Sequence, residues 1–355
     1  MGRLAGTIRD IRAGDPGARA LLASRVAAIA QAVTIRWTWL LWQPRRTPPN
    51  LPAIAVLAHV HWAPLLFGAC VVAVVVPRWG ATAFCALFAL AALGDQLRLQ
   101  PESVSLAIVM VGSAAGSTGR AVARWHLCAL WLWSGLHKAL SLGWPTRGAL
   151  FIAESLGVVG ARPLIAVVLP AVEIALGLTA LFPRLWRATA IAGLVLHLSM
   201  FTMLSPVMRD WNSAVWPWNV GLAVSAFLLF WTKPREQLAP TRAVRVVAVG
   251  LLAFPALFYV GLADTYLSHN LYTANGASAR ICIAGGFGCS SAPFATLDTL
   301  NVPMPPEPRL YRQWFGRVCR PGTILEITAI QTRLTDPYRT TTDACPASPQ
   351  PRGRA

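Results

Sequence analysis

Lysine is almost missing from this chain. Of its 31 lysines and arginines only Lys138 and Lys233 are lysine, so nearly all positive charge sits on guanidinium groups that stay protonated. Acidic residues are also scarce, 14 in all against a formal net charge of +17. Charged residues make up 13% of the chain and hydrophobic ones 55%, which excludes an ordinary soluble domain. Several apolar stretches approach the ~20 residues needed to cross a bilayer. The first 20 residues lack a short apolar core and cleavage site and carry Arg3, Arg9, Arg12 and Arg19 instead. They are expected to stay cytoplasmic, with the first span acting as targeting signal. There is no CxxC pair, and His269 is the only histidine near the late cysteines, so no metal centre is expected. No repeat of fixed period is present.

The basic residues are scattered through short loops between apolar runs. That is the positive-inside pattern of a membrane protein, and it argues against a nucleic-acid partner. The apolar pattern predicts an all-α polytopic membrane bundle of about nine spans, near 24–42, 52–77, 79–96, 102–117, 121–140, 161–182, 186–204, 213–232 and 243–263. Residues 141–160, with Pro145, are read as an interfacial loop and short helix. Arg78, Arg120, Arg124, Arg184, Arg187, Arg242 and Arg245 then fall on cytoplasmic turns of a bacterial inner-membrane protein, while Arg45 and Arg46 are exceptions. An odd number of spans puts the C-terminus outside.

The division that follows is a cytoplasmic arm (1–20), a transmembrane domain (21–263), a small β-containing extracytoplasmic domain (264–345) and a disordered tail (346–355). Alternation over 323–330 predicts a strand. Cys282, Cys289, Cys319 and Cys345 all lie in this last domain, which suits two disulfides in an oxidising compartment with three pairings open. Cys70, Cys85 and Cys128 fall in apolar runs, as small packing residues.

A charge at mid-bilayer costs about 2.5–3.5 kcal/mol on insertion scales, so polar residues inside spans need a partner or a task. Hairpin geometry places residues equidistant from a turn at equal depth. Glu173 and His197 lie about 12 residues either side of Leu185, roughly 18 Å from it, and are expected to pair near mid-membrane. The same construction gathers His59, His61, Asp95, Arg98, Gln100 and Lys138 in the outer third. Trp131, Ser134, Gly135 and Lys138 share one helical face at i, i+3, i+4 and i+7. An indole and a small-residue gap beside an amine would form a slot for a flat ring, and Trp218 and Asn219 add an indole and an amide at similar height. Most of the 15 tryptophans are read as an interfacial belt, and Lys138 could equally snorkel from a helix end.

Gly135-Leu136-His137-Lys138-Ala139-Leu140, followed by Gly143-Trp144, resembles the Gly-x-x-Lys-Leu segment of the vitamin K-dependent gamma-carboxylase-like (HTTM) superfamily. The resemblance implies that Lys138 is a base for a lipophilic, vitamin K-like quinol; from their expected depth, His61 or His137 would pass the proton outward and Asp95 and Arg98 would orient the head group. Pro170-x-x-Glu173-x-x-x-Gly177 is similar to DoxX-type and MauE-type membrane proteins, which are linked to quinones or thiol redox. Three functions are therefore expected to compete. The first is a quinol-dependent enzyme using Lys138, Trp131, Arg98, Gln100, His59, Trp218 and Asn219, acting on an extracytoplasmic protein or peptide. The second is a non-catalytic membrane scaffold, and the third a DoxX/MauE-like redox component.

Overall fold

A computed structural model describes residues 15–232, 238–283, 288–291, 296–329, 332–334 and 340–345. The predicted arm lies outside these residues up to position 14, as does the predicted tail from 346 onward. The bundle opens with α1 (Pro16–Trp37). It begins well before the predicted first span, because the Asp15 carboxylate accepts from the amides of Gly17 and Ala18 and Pro16 sits at the first helical position. Two arginines of this helix donate to carbonyls of neighbouring elements: Arg25 Nε to Val74 at 3.0 Å, and Arg19 to Trp231.

Two antiparallel helices follow, α2 (Trp62–Val75) and α3 (Pro77–Gly94). Residues 52–61, expected to belong to a span, are irregular with one 3-10 turn at Ala55–His59. Next come α4 (Pro101–Ala114), the long α5 (Gly116–Leu140), the short α6 (Ala149–Ser155), α7 (Arg162–Ala180), α8 (Trp186–Leu204), α9 (Val215–Phe230) and α10 (Arg242–Ala253). A 3-10 turn over Phe254–Val260 extends α10 where Pro255 cannot continue the α-helical ladder.

Among the described residues five helical stretches are long and apolar enough to cross a membrane: Pro16–Trp37, Pro77–Gly94, Val159–Ala180, Pro183–Leu204 and Arg242–Val260. Three apolar helices, Trp62–Val75, Pro101–Ala114 and Val215–Phe230, are shorter. The structure thus has the multi-helix apolar architecture without nine full-length spans. The long α5 carries Arg120, Arg124, His126, His137 and Lys138, too polar a content for that set.

Helix α5 packs along α7, α9 lies between α8 and α1, and α1 also touches α2 and α4. The α5–α7 approach is close because small residues face each other. A Cβ on Gly135 would collide with the Pro170 carbonyl and Ile174, and one on Gly177 with Leu132.

The C-terminal region forms an antiparallel sheet of β1 (Ser278–Ile283), β2 (Cys289–Ser290), β3 (Thr323–Thr328) and β4 (Thr340–Ala344), ordered β2-β1-β3-β4. Leu325 and Ile327 of β3 alternate inward, toward Leu310, Tyr311, Trp314 and Phe315 in a helix at Pro308–Val318. Both expected disulfides form: Cys282–Cys289 joins β1 to β2, and Cys319–Cys345 joins the helix end to the residue after β4.

Candidate functional site

Pro170 has no amide hydrogen, so the carbonyl of Ala166 one turn earlier in α7 loses its helical partner. The indole Nε1 of Trp144 donates to that carbonyl at 3.0 Å. This fixes the Trp144 ring, which is buried, as a wall beside α5. The Trp144 amide is held in turn by Ser141 Oγ at 3.0 Å.

Lys138 approaches the same ring from α5, its Nζ 5.5 Å from the centroid. The residue is 5% exposed, so it points into the protein and does not snorkel. Its ammonium donates to Ser134 Oγ at 2.7 Å and to the Glu173 carboxylate at 2.8 and 2.7 Å. Ser134 Oγ donates to Glu173 Oε1 at 3.3 Å, closing a triangle between α5 and α7. Lys138 is therefore paired with Glu173, the carboxylate expected to meet His197.

The expected Glu173–His197 pair is replaced. Trp131 Nε1 donates to His197 Nε2 at 3.0 Å, and since an indole nitrogen can only donate, the imidazole proton is on Nδ1. From there it reaches Asn219 Oδ1 at 3.0 Å, while Asn219 Nδ2 returns to the Val215 carbonyl at 2.9 Å. Glu173 and His197 both line one cavity, on different walls of it.

That cavity has a volume of about 350 Å³, within the range of roughly 300–1,000 Å³ typical of small-molecule sites. Its walls are largely apolar, built from Leu130, Trp131, Trp144, Met200, Met203 and Leu204, with Ser134, Lys138, Glu173, His197, Trp218 and Asn219 among them. The gap expected at Gly135 is not part of it, because α7 fills that space. Trp144, Phe151, His269 and Tyr272 also line the cavity and were not singled out beforehand. Only Trp144 left a legible trace, as the donor that the carbonyl freed by Pro170 requires. The loop carrying the other wall holds His269, Tyr272 and Ala274 at φ values of 61°, 57° and 59°. Such left-handed non-glycine residues are costly and cluster at functional walls. Burial pushes the His269 imidazole down to about 4.

The remaining predicted residues lie elsewhere. Asp95 is buried where α3 ends, ion-paired with Arg45 and 3.9 Å from Arg98 Nε, and it accepts from the amides of Leu51 and Leu97 at 3.0 and 3.2 Å. Arg98 donates to the carbonyls of Leu41, Ala91 and Gln43 at 2.9, 3.0 and 3.3 Å. Gln100 bonds Leu97 and Pro303 carbonyls at 2.7 and 3.2 Å. His59 and His61 are exposed, and His61 meets the Gln43 amide. None of these five lines the cavity. Depth along the bilayer does not fix azimuth: Asp95 and Arg98 tie the α3–α4 connection to the chain after α1, whereas Lys138 faces α7.

These features define a helical membrane protein with an apolar cavity, a buried ion pair in the cavity wall and a disulfide-bearing sheet at its C-terminal end. Residues 117–215 match the family described as methylamine utilisation protein MauE. The segment contains Trp131, Ser134, Lys138, Trp144, Glu173 and His197. The match supports the DoxX/MauE-type resemblance, and the carboxylase resemblance draws nothing from it. No curated protein and no solved structure matches the chain.

Proposed function

We propose that this protein is a MauE-like, quinone-linked redox component of the bacterial inner membrane, with the ring of a lipophilic quinone held in the cavity between α5, α7, α8 and α9. The observation that carries this reading is where the cavity lies. An apolar, ring-sized hollow with one ion pair in its wall falls largely within the segment that resembles MauE.

The residues fit such a group. Trp144 and Met200 offer flat and adaptable apolar surface to a ring. The Lys138–Glu173 pair sets an amine and a carboxylate side by side in the cavity wall. A bound quinone would supply two-electron, two-proton redox chemistry. The chain's own part is to exclude water, orient the ring and hold a proton between Nζ and the carboxylate. In this reading the N-terminus is cytoplasmic and the disulfide-bearing sheet lies outside, where it meets an extracytoplasmic protein or peptide.

The test is extraction of the protein purified in mild detergent, with the copurified quinone quantified by mass spectrometry. Wild type is expected to carry near-stoichiometric quinone, and Met200→Trp, which fills the hollow, to carry almost none. Equal quinone in both would remove the cavity from the account.

A further inference from the structure

A polar atom in a cavity wall serves a ligand only if it is both unused and reachable. Lys138 Nζ has three hydrogens and three acceptors, Ser134 Oγ and the two oxygens of Glu173. Both nitrogens of His197 are engaged, and the Asn219 amide bonds at its oxygen and at its nitrogen. The indole nitrogens of Trp131 and Trp144 have acceptors, and that of Trp218 is enclosed. Asn212 donates to the Tyr272 hydroxyl, and Arg147 donates to the Ala274 carbonyl at 2.8 Å. His269 differs. Its imidazole lines the cavity and has no hydrogen bond among the described residues; only its backbone amide is used, toward the Tyr266 carbonyl at 3.3 Å. Neither ring nitrogen is among the enclosed unpartnered atoms, so both keep accessible surface. The residue lies deep in the protein and is still partly accessible, so the surface it offers is cavity surface.

The ring is held there from behind. His137 Nε2 donates to the carbonyl of Ser268, the preceding residue, at 2.8 Å, and the Tyr259 hydroxyl meets His137 Nδ1 at 2.7 Å. His126, bonded to Ser105 Oγ at 2.7 Å, packs edge-on against the His269 ring with centroids 5.3 Å apart.

A neutral imidazole carries one N–H donor and one acceptor lone pair, and its tautomer decides which nitrogen plays which part. A quinone presents carbonyl oxygens, which accept; the quinol presents hydroxyls, which can donate. We infer that His269 is the residue that recognises the ring oxygen of the occupant in both redox states, donating to the quinone carbonyl and accepting from the quinol hydroxyl. Lys138, at first sight the obvious anchor, is the saturated side of the site. This rests on the quinone reading above and adds to it the side chain that recognises the head group. The ligand class is an aromatic or quinonoid ring bearing oxygen at its edge. A plain hydrocarbon ring of the same shape would fill the space and leave the imidazole without a partner.

The experiment uses the full chain stripped of lipid quinone. It measures equilibrium binding of menadione, of menadiol under anaerobic conditions, and of 2-methylnaphthalene, their hydrocarbon counterpart. Wild type is expected to bind both oxygenated rings more tightly than the hydrocarbon. His269→Gly suits the left-handed backbone at φ 61° and removes the imidazole. It should cut the preference for each oxygenated ring over the hydrocarbon about tenfold, the worth of one hydrogen bond. Taking the preference as the readout cancels any change in cavity size, which all three rings share. Infrared difference spectra of bound menadione probe the unmutated protein as well: one carbonyl band should lie below its unbonded position in wild type and return to it in His269→Gly. An unchanged preference in the variant, or an unshifted carbonyl band in wild type, overturns the inference and leaves the quinone reading standing. Failure of wild type to bind any of the three rings removes both.

Discussion

Among the described residues two buried groups of paired charges, around Asp95 and around Lys138, are built on different plans. Around Asp95, Arg98 spends its guanidinium on three backbone carbonyls, and Asp95 accepts two backbone amides besides its arginines. Apart from the arginine–carboxylate contacts, the bonds there tie these side chains to main chain. Around Lys138 the partners are side chains, Ser134 and Glu173, and the cluster faces an open hollow. The first arrangement resists change, because moving any member breaks the backbone path. The second leaves the backbone free and sets its side chains in the wall of a cavity. A buried charge among main-chain groups is thus a structural clamp, and a buried charge among side chains beside a cavity is a candidate site.

This contrast can be attacked by mutation, and the largest effect is expected at the clamp. Asp95→Ala leaves Arg45 and Arg98 buried without their carboxylate and should cost about 3–5 kcal/mol of stability, read as a large drop in melting temperature in detergent. A loss under about 1 kcal/mol would mean that the backbone carbonyls alone satisfy the arginines.

At the site, Lys138→Met should be similarly damaging by itself, about 3 kcal/mol, because Glu173 is left uncompensated. The double variant Lys138→Met with Glu173→Met should recover most of that, since an apolar pair suits an apolar wall. A thermal double-mutant cycle measures the coupling directly. Additive losses would show that the two side chains do not act as a pair.

A smaller effect concerns acid. His269 is neutral in the fold, its imidazole depressed by burial to about 4 from an ordinary value of about 6.5. A base depressed on folding stabilises above its unfolded value, and that contribution is lost as pH falls from about 6.5 toward 4. The loss is at most about 3.4 kcal/mol. His269→Asn, which tolerates the left-handed backbone at φ 61°, should flatten part of the acid limb of a melting-temperature profile. An unchanged limb would assign it to other groups.

Much of the site was legible because rare polar residues in apolar helices are conspicuous. Lys138, Trp131, Glu173, His197, Trp218 and Asn219 all stood out and all line the cavity. Their partners were not legible. Periodicity gives a face and hairpin counting gives a depth, but which neighbour a face meets depends on packing across the bundle. Glu173 therefore found Lys138, and Asp95 joined a separate clamp. The wall at 269–274 was invisible for another reason: it is irregular backbone, placed by contacts far away in sequence, such as Asn275 Nδ2 to the His137 carbonyl at 3.3 Å. In the C-terminal region cysteine count and alternation sufficed for two disulfides and β3, but the pairing required the register that sets Cys282 opposite Cys289. The nine expected spans exceed the five helices of sufficient length and apolarity, because short apolar helices and irregular segments share the composition of longer ones.

The most direct test of the cavity is photolabelling with a photoreactive quinone, followed by peptide mapping. The account predicts crosslinks within residues 130–152 and 196–219, competed away by excess menadione. Crosslinks confined to the lipid-facing surface of residues 242–260 and indifferent to competitor would contradict it.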